Sequence, residues 1–364
     1  MKKNQSLSNN KDVRRISLGA VISILSIVVL LSSCKSDNSF YDLFPNNPIT
    51  LEGVMTEFDT HGNVEDLYCN DSVLIAYNSG LNKSFTMYDL KTGNMVNEFG
   101  VIGHGHNEIP KGCFGGIFGN SLVVSKDVNK VIARFSLMKE RNNCFADTII
   151  TYKLDETMLS QIVPVDSECY LGLGAYQWNK HYVIFDTKGH VYDSTTPLYN
   201  ANDEHFNKFT KFLSNQGVII RHPIEDKYVG TTNNSSIIDF MKIKDNHIYH
   251  IKGYHNILPS WETKHSENMN ITVWTDNTIN GFLDLSGNEK NVFALYSEAT
   301  MKEREYISDN ILVFDWEGNP KNRIILDKFV KQIAVNNNTI FSLSEDERGN
   351  QYITAYDLGK LNIR

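Results

Sequence analysis

The 364-residue chain lacks the short motifs by which most enzymes announce their chemistry. There is no Gly-x-Ser-x-Gly elbow, no His-Glu-x-x-His pair and no P-loop, so no serine hydrolase, zinc peptidase or phosphate-cradling signature is present. Cysteine is sparse: of five, none stands as Cys-x-x-Cys or at a Cys/His spacing that would hold zinc. No metal and no cofactor are therefore expected. Positive charge is also short, with 35 Lys and Arg against 43 Asp and Glu. An acidic body has little to offer nucleic acid, whose affinity comes mainly from cations at phosphates, or an anionic membrane face. Hydrophobic residues, at 41 %, are ample for a folded core.

The single long apolar run is at the amino terminus. Lys2, Lys3, Lys11, Arg14 and Arg15 precede an apolar stretch from Ile16 to Leu31, broken by Ser17, Ser23 and Ser26. That order and length describe a secretion signal better than a membrane span. It ends in Leu31-Ser32-Ser33-Cys34, which resembles the lipobox of bacterial lipoproteins. The resemblance implies that residues 1–33 are a signal peptide and that Cys34 carries the lipid. The anchor then holds the protein in the cell envelope, at an outer membrane, because several acyl chains at ~0.8 kcal/mol per buried CH₂ do not leave a bilayer. Without residues 1–33 the charge balance is 30 basic against 42 acidic, a net −12. Residues 34–48, with Pro45, Asn46, Asn47 and Pro48, read as a tether. An envelope location permits disulfides among Cys69, Cys113, Cys144 and Cys169, but a domain of this size does not need them. Buried, solitary thiols are expected.

From residue 49 to the end the chain is short β-runs divided by Asn, Asp and Gly turns. Pairs of runs recur at 73–78 with 84–89, 121–125 with 131–137, and 169–175 with 182–186. They continue at 227–232 with 237–242, 281–286 with 291–297, and 339–344 with 353–357. Intervals of roughly 45 to 60 residues are those of four-stranded propeller blades. Six units predict an all-β, six-bladed β-propeller over residues 49–364. Several units share an aromatic run, Asp, then Gly or Lys: Tyr88-Asp89, Phe185-Asp186, Phe314-Asp315 and Tyr356-Asp357. These acids are expected to close turns by accepting from their own backbone, not to catalyse. The last unit has three strands only, and residues 50–58 are expected to supply its outer strand and close the ring. One segment, Asp203 to Leu213, has Phe206, Phe209, Phe212 and Leu213 at helical spacing and predicts a helix on one rim, its apolar face a possible docking surface.

Gly103-His104-Gly105-His106-Asn107-Glu108-Ile109 lacks the third glycine of a dinucleotide loop. As Gly-x-Gly-x-x-Glu-apolar between two blades it resembles the TolB-like six-bladed propeller lipoproteins of Bacteroides-type bacteria. Gly103, Gly105, Glu108 and Ile109 carry the match, with the hairpin 121–135 and the closing stretch 329–358. His106 departs from the proline often found in that family. The resemblance implies fold and anchoring and assigns no activity; Glu108 is expected to hold backbone donors at the blade junction. His247, His250 and His255 do not make a metal site, because strand residues three apart face opposite ways. Asp71-Ser72-Val73 and Asp147-Thr148-Ile149 resemble O-glycan acceptor sites.

The expected function is binding, of a glycan, peptide or envelope protein, through one face of the propeller, with Tyr176, Trp178, Trp261 and Trp274 as candidate contacts. The alternative is an envelope lyase or hydrolase acting at the channel mouth, which requires ionisable groups from several blades to converge.

Overall fold

The computed structural model describes residues 39–359 except 59, 61, 139–142, 200, 201, 203–205, 267 and 268. A single 3-10 turn, Phe40–Leu43, precedes the strands in the chain. Two short strands come first, β1 (Ile49–Leu51) and β2 (Val54–Met55). Blade one is β3 (Val64–Cys69), β4 (Val73–Asn78), β5 (Lys83–Asp89) and β6 (Met95–Val101). Blade two is β7 (Phe114–Phe118), β8 (Ser121–Lys126), β9 (Val131–Ser136) and β10 (Thr148–Thr151). Blade three is β11 (Thr157–Pro164), β12 (Cys169–Tyr176), β13 (Lys180–Asp186) and β14 (Val191–Pro197). After helix α1 (Lys208–Leu213), blade four is β15 (Ile219–Arg221), β16 (Lys227–Thr232), β17 (Ile237–Lys244) and β18 (His247–His255). A separate hairpin follows, β19 (Trp261–Ser266) and β20 (Met269–Trp274). Blade five is β21 (Ile279–Gly287), β22 (Asn291–Thr300), β23 (Ser308–Asp315) and β24 (Pro320–Val330). The last blade is β25 (Gln332–Val335), β26 (Thr339–Glu345) and β27 (Gln351–Asp357), completed by β2.

This is the six-bladed propeller the spacing predicts, each blade an antiparallel meander of four strands from the channel outward. Five of the paired runs seen in sequence are the two middle strands of a blade; the run pair beginning at Gly281 is instead the inner pair of blade five. The ring closes as expected, with one difference. Residues 50–58 do not form a single outer strand but divide between two blades. Ile49 and Leu51 lie parallel to β24 opposite Ile324 and Leu326, while Val54 and Met55 lie antiparallel to β27 opposite Ala355 and Thr354. Gly53 makes the crossing. A Cβ there would sit 2.3 Å from the Thr354 methyl and 2.6 Å from the Tyr356 ring, so the chain passes only where no side chain is carried. One segment thus fastens blade five to blade six and covers the edge of both.

The core lies between blades. Phe85, Phe99 and Phe135 join blades one and two, with Ile109 beneath them. Tyr182, Ile184, Tyr228 and Met241 join blades three and four, and Leu74, Tyr88, Phe341 and Ile353 join blades six and one. Phe44, in the segment read as a tether, is buried with its ring edge-on to Phe314 at 5.0 Å.

Polar side chains then sew neighbouring blades together at the inner strands β3, β7 and β15. Gln161 on β11 donates to the Gly115 carbonyl of blade two at 3.1 Å and accepts from the Ile219 amide of blade four at 2.7 Å. Gln351 accepts from the Val64 amide at 2.7 Å and donates to the Val64 carbonyl at 2.8 Å, which locks blade six to blade one. Inner strands of different blades do not share a ladder, so their facing backbone groups are satisfied by these carboxamides instead.

Candidate functional site

The turns between first and second strands of all six blades gather at one end of the channel. Four are built alike: a side-chain oxygen accepts from the backbone amides two and three residues on. Asn70 does this for Ser72 and Val73, Asp166 for Glu168 and Cys169, Asn288 for Lys290 and Asn291, and Asn336 for Asn338 and Thr339, at 2.8–3.0 Å. In blade four His222 takes the same role, its Nδ1 accepting from the amides of Ile224 and Glu225 at 3.0 and 2.9 Å. That fixes the neutral tautomer with hydrogen on Nε2, which donates to the Glu289 carbonyl of blade five at 3.1 Å. Burial lowers the His222 pKa further, so the ring carries no charge here. Blade two turns tightly through Gly119, at φ +59.

Between these turns lies a cavity of about 450 Å³. Its wall is polar: the carboxamides of Asn70, Asn336 and Asn337, the hydroxyls of Ser121 and Ser167, and five charged side chains, Asp71, Arg134, Asp166, Arg221 and Glu289. Asp71 is tied across the closure by Asn337, whose Nδ2 donates at 2.8 Å and whose amide donates at 3.2 Å. Ile117 and Phe118 add a half-buried apolar strip.

Deeper in the channel a second cavity of about 100 Å³ is lined by inner-strand residues including Asp66, Tyr68, Gln161 and Asp284. Burial pushes the Asp66 carboxyl up to about 7. Asp284 is raised well above the ordinary carboxylate value, first by burial and then by the charge of Asp66, and Tyr68 is raised by burial and by the same acid. These acids have structural partners. Asp66 accepts from the Leu67 amide at 2.8 Å; Asp284 accepts from Leu285 and, across the blade junction, from Ile333, each at 2.8 Å. Cys69, which borders both cavities, is kept as a thiol by burial.

The sequence-selected residues fall elsewhere. Tyr176 is buried at the end of β12, and Trp178, in the left-handed turn after it, packs with Ala175, Leu198 and Phe212 beneath the Lys208 ammonium at 5.0 Å. Trp261 and Trp274 face each other across the β19–β20 hairpin with ring centres 5.9 Å apart, and Trp274 also meets Tyr306 at 6.4 Å. The structure brings that pair together but places all four aromatics at the end of the channel opposite the polar mouth, where second strands end and blade-to-blade segments run. Helix α1 lies on the same face, capped by Asn207, with Phe212 turned inward and Phe209 exposed; its Thr210 hydroxyl meets Thr272 of the hairpin at 2.5 Å. Cys34 and residues 1–33 lie outside the described residues.

Other expectations resolve plainly. Cys69, Cys113, Cys144 and Cys169 are free thiols. Asp89, Asp186 and Asp315 each accept from two amides of their own turn, and Asp357 accepts from Gly359. Glu108 accepts from the Gly105 amide at 2.8 Å; a Cβ on Gly103 would lie 2.0 Å from that carboxylate, which is why the motif has glycine there. His247, His250 and His255 do not converge, each facing its own partner: Asp193 at 3.6 Å, Thr196 at 2.9 Å and Asp239 at 2.9 Å. Ser72 is exposed in a mouth turn and Thr148 on an outer strand. Sequence reasoning named a channel mouth but missed the residues that line it. Their signal was present: an Asn, Asp or His at the end of each of five inner strands.

Comparison with known proteins agrees with this architecture. A protein of Bacteroides fragilis described as exported superposes with a TM-score of 0.53 at 11 % identity, over 85 % of this chain and 98 % of that one. A member of the DUF4221 family from Bacteroides vulgatus gives 0.51 at 9 % identity, over 85 % and 97 %. No curated protein matches the chain. Residues 66–338, from the channel acid of blade one to the inner hairpin of blade six, match the family described as TolB-like 6-blade propeller-like, and the chain belongs to that family.

Proposed function

We propose that this protein is a lipid-anchored binding module of the cell envelope whose ligand seats in the polar mouth formed by the six inner turns. The observation that carries the reading is the mouth itself. It is an open cavity of about 450 Å³ in which every blade contributes to the wall, with side-chain amides, hydroxyls and charges facing it from a rigid ring. A glycan or a peptide offers the hydroxyls, amides and charges that such a wall recognises. Anchoring through Cys34 rests on the ordered basic, apolar and small-residue pattern before it; the exported description of the B. fragilis relative is in keeping with it.

The lyase or hydrolase alternative has one observation in its favour, the raised Asp66 and Asp284 carboxyls with Tyr68 beneath the mouth. Against it, both acids hold backbone amides, and a space of about 100 Å³ holds a few waters and no sugar ring.

Two experiments test the reading. Cys34→Ala is expected to move the protein from the membrane to the soluble fraction, and a variant that stays membrane-bound removes the lipid anchor. Residues 35–364 titrated calorimetrically with glycan and peptide sets are expected to bind at least one. Ser167→Trp, which fills the mouth from an exposed turn, is expected to abolish that binding without lowering the melting temperature. Binding unaffected by Ser167→Trp moves the site elsewhere.

A further inference from the structure

The mouth is electrically divided. On one side two guanidinium groups flank the first turn of blade three: Arg134 reaches in from β9 of blade two, and Arg221 from the end of β15 of blade four. On the other side stand Glu289 of blade five and Asp71 of blade one. Asp166 lies between the arginines, but one of its oxygens is already spent on two amides of its own turn.

Neither arginine is saturated. Arg221 donates from Nη1 to the Pro164 carbonyl at 3.3 Å and from Nη2 to Asp226 at 3.2 Å, while its Nε is buried with no acceptor. Arg134 makes no hydrogen bond or ion pair through its guanidinium among the described residues, although it lines the cavity. A buried guanidinium N–H without an acceptor is costly, and a free guanidinium in a ring-shaped polar wall is an open fork for a planar anion. The remaining wall near them, Ser121 and Ser167, supplies hydroxyls and adds no cation.

We infer that the Arg134–Arg221 sector binds a carboxylate carried by an otherwise neutral or cationic polar ligand, with the acids Asp71 and Glu289 turning away ligands that are anionic throughout. The inference rests on the mouth being the binding site. The carboxylate could belong to an acidic sugar or to a peptide end, and guanidinium recognises the same planar group in both.

The test is calorimetric titration of residues 35–364 with methyl glucuronoside, methyl glucoside, N-acetyl-dialanine and its C-terminal amide. The expected result is that at least one carboxylate probe binds and its neutral counterpart binds tenfold or more weakly. Arg134→Gln should weaken the carboxylate probe at least tenfold at an unchanged melting temperature, Arg134→Lys less so, and Ser167→Trp should abolish binding. Which acid binds, sugar or peptide, names the source. A carboxylate probe that binds Arg134→Gln as well as the parent overturns the inference. So does a neutral probe that binds as tightly as its acid; if Ser167→Trp blocks it, the mouth still stands as a binding site. Absence of any binding sensitive to Ser167→Trp, across these probes and the wider sets, overturns both.

Discussion

Replacing Asp66 by Asn should make the protein more stable at pH 8 and flatten the dependence of its stability on pH. Asp66 is half-buried in the channel wall, and desolvation there lifts its carboxyl from 3.8 to about 7. Between those values the folded protein keeps a proton that the unfolded chain releases. The folded state therefore loses stability as pH rises from about 4 to 7, and the penalty is complete above 7. At 1.36 kcal/mol per unit, the part of that window between pH 5 and 7 is worth roughly 3 kcal/mol. An Asn amide keeps an oxygen for the Leu67 amide and removes the charge that acts on Asp284. Urea unfolding of parent and Asp66→Asn at pH 5, 6, 7 and 8 gives the comparison. The parent midpoint should fall across the series; the variant should fall much less and cross above the parent by pH 8. A variant that tracks the parent slope, or is less stable at pH 8, refutes the claim that a buried proton sits in the channel.

Three further outcomes follow from the same structure. His255, raised by its hydrogen bond to the buried Asp239, should stabilise the fold below about pH 6.5 and lose that contribution as pH rises through its folded value; the melting-point loss in His255→Ala should be larger at pH 6 than at pH 8.5. Gln351→Ala removes both bonds to Val64 at the ring closure and should cost about 2–3 kcal/mol in urea unfolding, more than truncation of an exposed Gln; a loss under 0.5 kcal/mol would mean that the β1–β2 clasp alone closes the ring. Gly103→Ala should lower the melting temperature by displacing Glu108, and adding Glu108→Ala should recover part of the loss, since the Cβ then meets no carboxylate; a purely additive double variant denies that contact.

Much of this molecule was legible in advance because propeller blades are local. Each is a meander whose turns are written in adjacent residues, so Asp89, Asp186 and Asp315 could be assigned to turns and set aside as catalysts before any contact was seen. The Gly-x-Gly-x-x-Glu segment was legible for the same reason: Glu108 reaches back only three residues. Ring closure was half legible. A missing strand could be counted, but the division of residues 49–55 between two blades depends on how closely Gly53 passes Thr354 and Tyr356, some 300 residues away in the chain.

Which residues line the mouth was not legible, although each of them was. Asn70, Asp166, His222, Asn288 and Asn336 each look like ordinary turn residues, and they become one wall only when six inner strands are set in a ring. The aromatics misled for the complementary reason. Trp178, Trp261 and Trp274 stand near turns in sequence, but alternate ends of successive strands lie on opposite faces, and these fell on the far one. Sequence alone determined strand period, blade number and turn chemistry, all of which act over a few residues. Tertiary structure alone decided which side chains share a cavity, which acids are desolvated and which arginine N–H groups keep no acceptor among the described residues, because convergence and desolvation are properties of the closed ring.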